Sequence, residues 1–188
     1  MISLFNEEKI GKVFQKNGFD ISIALDKVRD YSTTDADTLS EMIAGKFMIY
    51  APKVSISECK AYSKEKDENH HGVVVVKYSI PYTGHGEMFS FKPTNYGSSS
   101  YRATIDDNHI KFEVYTDYYN TDLNEETLKF LKNHVIDITE MIKYSLEQLE
   151  IDCNRYNLGL KKLVYDEIIR RKNELQKSKD DLDALNSF

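Results

Sequence analysis

The chain has 188 residues, of which 40% are hydrophobic and 30% charged, with a formal net charge of −6. This length suits one domain with an extension, and the composition excludes a wholly disordered or collagen-like chain. The acidic balance argues against a protein built mainly to coat nucleic acid, which carries a basic excess.

Residues 1–46 read as helix and turn, with Phe19, Ile21, Ile23, Leu25 and Val28 supplying apolar contacts. Asp35 or Asp37 is placed to cap a short helix containing Leu39, Met42 and Ile43, and Gly45 to stop it. Residues 47–116 switch to a period of two. Val54, Ile56 and Cys59 predict a strand after Pro52, and the polar stretch Ser63–His71 a loop. Val73–Ile80 is a β-branched run that predicts a central strand ended by Pro81, which cannot donate to a ladder. Thr83-Gly84-His85-Gly86 predicts a turn, Met88–Phe91 a returning strand and residues 94–100 a loop. Ala103–Ile105 and Ile110–Tyr115 flank Asp106-Asp107-Asn108, a tight-hairpin signal. Ile110, Phe112 and Val114 would face a core, with Lys111 and Glu113 towards water. Five strands in an antiparallel sheet are expected.

Residues 123–185 contain no proline and one glycine, Gly159. Leu128, Leu131, Val135, Ile138, Ile142, Leu146, Leu149, Cys153, Tyr156, Leu160 and Leu163 recur at a mean spacing of about 3.5, the coiled-coil period. The fold class is therefore α+β: a small antiparallel sheet followed by a long C-terminal helix, or a helical hairpin broken at Asn157–Gly159. The expected division is 1–122 and 123–188. About 55 helical residues would reach roughly 80 Å, far beyond the roughly 17–20 Å of a strand. Part of the seam thus needs another helix. Leu149, Tyr156, Leu160, Leu163 and Ile168 are the candidate contacts, meeting a helix of this chain or of a second copy, and a homo-oligomer or protein partner is expected there. The early residues Glu7, Glu8, Lys9 and Lys12 interrupt any signal-like apolar stretch, and the longest apolar run is Val73–Val76. No membrane partner is expected, and the chain reads as cytoplasmic, with Cys59 and Cys153 as reduced thiols.

Motifs for chemistry are partial. Glu58-Cys59-Lys60 has the E-x-K form of restriction-type nucleases, in which carboxylates hold Mg²⁺ and lysine assists water, but the nearest upstream acids, Glu41 and Asp37, fall in a helical segment. His70 and His71 are adjacent and would point to opposite faces of a strand, a poor chelate even with His85 and Cys59 nearby. Gly45-Lys46 lacks the rest of a phosphate loop, with Ser40 and Phe47 where glycine and Ser/Thr are needed. The serine run Ser98–Ser100 lacks a nucleophile elbow. No catalytic residue, metal or cofactor is predicted. Tyr82, Thr83 and Gly84 are candidate recognition residues on a loop, and Tyr118 and Tyr119 offer rings for stacking. Lys161, Arg170 and Arg171 lie in the most basic stretch, interleaved with Asp166, Glu167, Glu174 and Asp180.

The stretch Tyr78-Ser-Ile-Pro81-Tyr-Thr-Gly84-His-Gly-Glu87-Met-Phe89 is followed by Lys92-Pro93-Thr94, by the segments Arg102–Ile105 and Ile110–Tyr115, and by a long helix with Asn154, Asn157 and Arg170-Arg171. Over roughly residues 20–188 this pattern resembles the N-terminal module of a family of uncharacterised multidomain bacterial proteins. Some members carry a restriction-endonuclease-like domain further downstream and look like genome-defence proteins. The resemblance implies a non-catalytic interaction, sensing or oligomerisation module, with any nuclease motif lying beyond it. A metal-dependent nuclease or hydrolase, and a nucleic-acid-binding module, are the alternatives. The first would show metal-dependent turnover, the second a steep salt dependence of binding.

Overall fold

The computed structural model describes residues 1–28, 31, 33–68, 73–95, 101–116 and 123–187. The elements are β1 (Ile2–Ser3), β2 (Glu8–Lys9), α1 (Ile10–Asp26), α2 (Ala36–Gly45), β3 (Lys53–Val54), β4 (Lys60–Asp67), β5 (Val73–Thr83), β6 (Phe91–Lys92), β7 (Arg102–Asp106), β8 (His109–Tyr115) and α3 (Glu125–Leu185). The class is α+β. Packing groups the chain into two compact units: Met1–Ile10 with Tyr50–Asp152, and Gly11–Ile49 with Cys153–Phe188. The change of periodicity near residue 122 falls inside the first unit.

In the first unit the sheet runs β1-β7-β8-β5-β3, with β4 also on β5, and every pairing in it is antiparallel. A separate parallel pair joins β2 to β6. β7 and β8 form the expected hairpin. Asp107 and Asn108 both take positive φ, 45° and 59°, as a two-residue primed turn requires. Ile110, Phe112 and Val114 are buried and pair with Ile80, Tyr78 and Val76 on one face. The Tyr78 and Phe112 rings stack at 5.5 Å. On the other face Lys77 bridges Glu65 and Glu113, while Lys111 meets Asp106 at 2.8 Å. From α3, Leu131, Ile138, Ile142 and Leu149 are buried, and Ile138 and Phe112 share the lining of a cavity of about 270 Å³. Asp152 accepts a hydrogen bond from the Thr94 N–H at 2.8 Å.

Four local expectations fail. The polar stretch read as a loop contains most of β4. Its side chains are mainly charged and exposed, so no apolar alternation announces it; the pairing with β5, bulged at Tyr62, is what orders it. Charge on an outer strand of this kind discourages edge-to-edge pairing. Secondly, Pro81 does not end β5, which continues to Thr83. Pro81 sits where the β4 register has finished at Ser79 and the β3 register begins at Tyr82. Its carbonyl accepts from the Ser55 N–H at 3.0 Å, and the Tyr82 N–H donates across to Asn108 at 2.8 Å. The missing N–H therefore falls in a gap of the ladder. Thirdly, Met88–Phe91 is not a strand: Gly86–Ser90 is a 3-10 helix, and only Phe91–Lys92 pairs. Met88 and Phe89 are both buried, which consecutive strand residues on opposite faces could not both be against one core. Likewise the segment after β3 is a 3-10 helix, Ile56–Glu58.

The second unit is helical. Asp35 caps α2, accepting from the Thr38 N–H at 2.9 Å, and α2 ends at Gly45. Leu39 and Ile43 are buried with Ile21 and Leu25 of α1 and Leu160, Val164 and Ile168 of α3. Asn157 grips the segment after α2: its Nδ2 donates to the Ile49 carbonyl at 2.8 Å, and its Oδ1 accepts from the Ile49 N–H at 3.0 Å. α3 is one unbroken helix through Gly159, begun by Asn124, whose Oδ1 accepts from the Thr127 N–H at 2.8 Å. No hairpin forms at Asn157–Gly159.

Candidate functional site

The seam residues come first. Leu149, Leu160 and Ile168 are buried by their own chain, so of the two expected partners, a helix of this chain or of a second copy, the first covers them. The second helix met by the distal seam is supplied by α1 and α2. Tyr156 is half-buried, its ring stacked on Phe14 at 4.3 Å. Leu163 is 58% exposed, and Val164 occupies the buried position instead. A 3.5-residue series drifts by about 20° per heptad on a straight helix. Over the five heptads from Leu128 that drift amounts to about one residue, which moves the stripe from 163 to 164.

The proposed basic contacts are engaged within the second unit. Lys161 Nζ lies 2.6 Å from Glu41 Oε1. Arg170 bridges Glu167 at 2.6 Å and Glu174 at 2.5 Å. Arg171 meets Asp26 at 2.7 Å and Glu167 at 2.9 Å, and its guanidinium lies 5.9 Å from the centre of the Tyr31 ring. Hydrogen bonds from Arg170 and then Arg171 hold the Glu167 carboxyl at about 2, well below the usual carboxylate range. Lys172 Nζ donates to the Thr34 carbonyl at 2.6 Å. The basic stretch thus fastens the helices of this unit to one another.

On the sheet, Tyr82 is buried edge-on against Phe89 at 4.9 Å, a core residue rather than a recognition residue. Thr83 and Gly84 are exposed. Gly84 has φ +101°, and a Cβ there would meet Pro52. Tyr118 and Tyr119 lie outside the described residues, as do His70, His71 and Ser98–Ser100. Glu58 falls in a 3-10 helix and Lys60 opens β4. Burial pushes the Cys59 thiol up, away from the reactive thiolate. Among the described residues no three His, Cys, Asp or Glu side chains gather as a metal-holding group, and no helix is long and apolar enough to cross a membrane.

What the structure does bring together is a surface on the helical unit. An open groove of about 670 Å³ runs between α1 and α3, with Gly18, Ile21, Ser22 and Leu25 on one wall and Gly159, Lys162, Leu163 and Asp166 on the other. Neither Gly18 nor Gly159 has an atom within 4 Å of where a Cβ would stand. On the outer face of α1, Phe19 is 69% exposed and Ile23 37%. The sequence reads both as supplying apolar contacts, which they do not make with the buried face. The signal against that lies in the helical period: Ile21 and Leu25 define the buried face, and positions 19 and 23 are turned away from it. Further along α3, Leu175, Leu182 and Leu185 are also exposed. A comparison with family models, curated proteins and solved structures finds no match for this chain.

Proposed function

We propose that this chain is a non-catalytic interaction module of a cytoplasmic bacterial protein, of the sensing or oligomerisation kind that resemblance to genome-defence proteins implies. One observation carries the reading. The helical unit turns large apolar side chains, Phe19, Ile23, Leu163, Leu175 and Leu182, to solvent, Leu163 in the wall of an open groove, while the arginines nearby are bound by its own acids. Exposed apolar clusters on a soluble fold mark contact surfaces. Thr83 and Gly84 on the turn after β5 form a second exposed point on a rigid scaffold. The test is incubation of the purified chain with DNA and RNA in Mg²⁺ or Mn²⁺. No turnover is expected. Sustained metal-dependent hydrolysis, abolished by Glu58→Ala or Lys60→Ala, would overturn the reading in favour of a nuclease.

A further inference from the structure

We propose that two copies of this chain associate by exchanging the last turns of α3, each copy's C-terminal turns lying antiparallel along the outer stripe of the other's α1. This rests on the interaction-module reading and names the partner.

From Asn173 to Ser187 every residue is exposed. Leu175, Leu182 and Leu185 fall at i, i+7 and i+10, so they share one side of the helix and prolong the stripe of Val164 and Ile168 that α1 and α2 cover earlier. An isolated helix of about 15 residues is marginal in water, and an exposed leucine row on it invites cover. The acids Asp180, Asp181 and Asp183 cluster towards its end.

The complementary surface is on α1. Lys12, Lys16, Phe19, Ile23 and Lys27 follow at steps of 4, 3, 4 and 4, so they form one continuous stripe, and all five are exposed. The stripe is cationic at its start and apolar in its middle.

Geometry excludes a contact within one chain. Phe14 stacks on Tyr156 and Asp26 meets Arg171, so α1 runs parallel to α3 and ends level with Arg171. The bare turns continue past α1 in an unbroken helix and cannot fold back on it. A two-fold axis solves the problem twice over. It sets the partner's turns antiparallel on α1, bringing Asp181 and Asp183, which flank the leucine row, towards Lys12 and Lys16, and Leu175 and Leu182 towards Ile23 and Phe19. The stripe and the bare turns each span about 15 residues, roughly 22 Å at 1.5 Å per residue. The contact is made reciprocally, so the assembly closes as a dimer.

The experiment uses the full chain in light scattering across about 1–300 μM, with circular dichroism to confirm folding. The parent is expected at twice the chain mass, shifting to one chain as salt rises, since exposed charge pairs are screened. Phe19→Glu and Leu182→Glu, both at exposed positions, should each give folded monomers. The decisive pair is Lys12→Glu with Lys16→Glu in one chain, and Asp181→Lys with Asp183→Lys in another. Each alone should be monomeric. Mixed, they should form a one-to-one dimer, because one contact then has both charges reversed and the other is native. A monomeric parent throughout, a dimer that survives these variants, or a mixture that stays monomeric overturns the exchange. A monomer without nuclease turnover overturns this inference alone; metal-dependent turnover overturns the reading beneath it.

Discussion

Leu160 and Leu163 are equivalent members of the 3.5-residue series, but the structure separates them sharply, and paired alanine substitutions measure the difference. Leu160 is 3% exposed among Ile21, Leu25, Leu39, Ile43, Val164 and Ile168. Truncation there leaves a cavity that three helices border, and buried Leu→Ala changes cost about 2–5 kcal/mol. Leu163 faces the open groove, so Leu163→Ala removes little burial and should stay within about 0.5 kcal/mol, as surface changes do. For a chain of this size each kcal/mol moves Tm by about 2–4 °C. Leu160→Ala is therefore expected to melt about 4–20 °C lower and Leu163→Ala within about 2 °C of the parent. Urea unfolding followed at 222 nm supplies the free energies, and light scattering the mass. Equal costs at both positions, or a change in mass without loss of stability in Leu160→Ala, would refute the intrachain packing of this stripe.

Glycine positions give opposite signs. Gly159→Ala should stabilise by about 0.5–1 kcal/mol, since a mid-helix Cβ there meets nothing, whereas Gly86→Ala should destabilise by about 1–3 kcal/mol because its Cβ would run into the Tyr82 hydroxyl and Ile105. Asn157→Ala leaves the Ile49 N–H and carbonyl without their side-chain partners and should cost about 1–3 kcal/mol in chemical unfolding, with Asn157→Asp restoring at most the bond to the N–H. The Glu167 carboxyl, held at about 2, lies below its unfolded value, so its ion pairs add stability above about pH 4.5 and lose it as pH falls towards 2. The Tm of Glu167→Gln should accordingly lie below the parent at pH 6 and converge with it near pH 2; a difference independent of pH would place the effect elsewhere.

The elements legible in the sequence are those whose signals are local. The alternation Ile110-Phe112-Val114 needs only a strand with one covered face, and Asp107-Asn108 tolerates the positive φ that its turn demands. Asp35 announces α2 because a cap is decided within one turn. β4 was not legible, because a strand held chiefly by a neighbour's backbone shows nothing in its own side chains. The continuation of β5 through Pro81 was hidden for a related reason: whether a missing N–H matters depends on which strand lies opposite, and that is a property of the register.

The candidate surface was illegible for a third reason, the difference between residue type and residue direction. Lys161, Arg170 and Arg171 stand out as a basic run, but a cation next to an acid on the same or a facing helix is an internal tie, and only Glu41, Glu167 and Asp26 in place reveal it. Conversely Phe19 and Ile23 look like core residues because they are apolar. Their direction depends on which face of α1 the distal half of α3 covers, more than 130 positions away in sequence. A helix of 61 residues spans more turns than α1 and α2 can cover, so part of its apolar stripe must emerge bare, and it does so at Leu175, Leu182 and Leu185. The 3.5-residue series requires a second helix along the distal half of α3, and α1 and α2 supply it. That cover comes from before the sheet in the chain and takes Leu160 and Ile168, so the exposed leucines lie further along the helix.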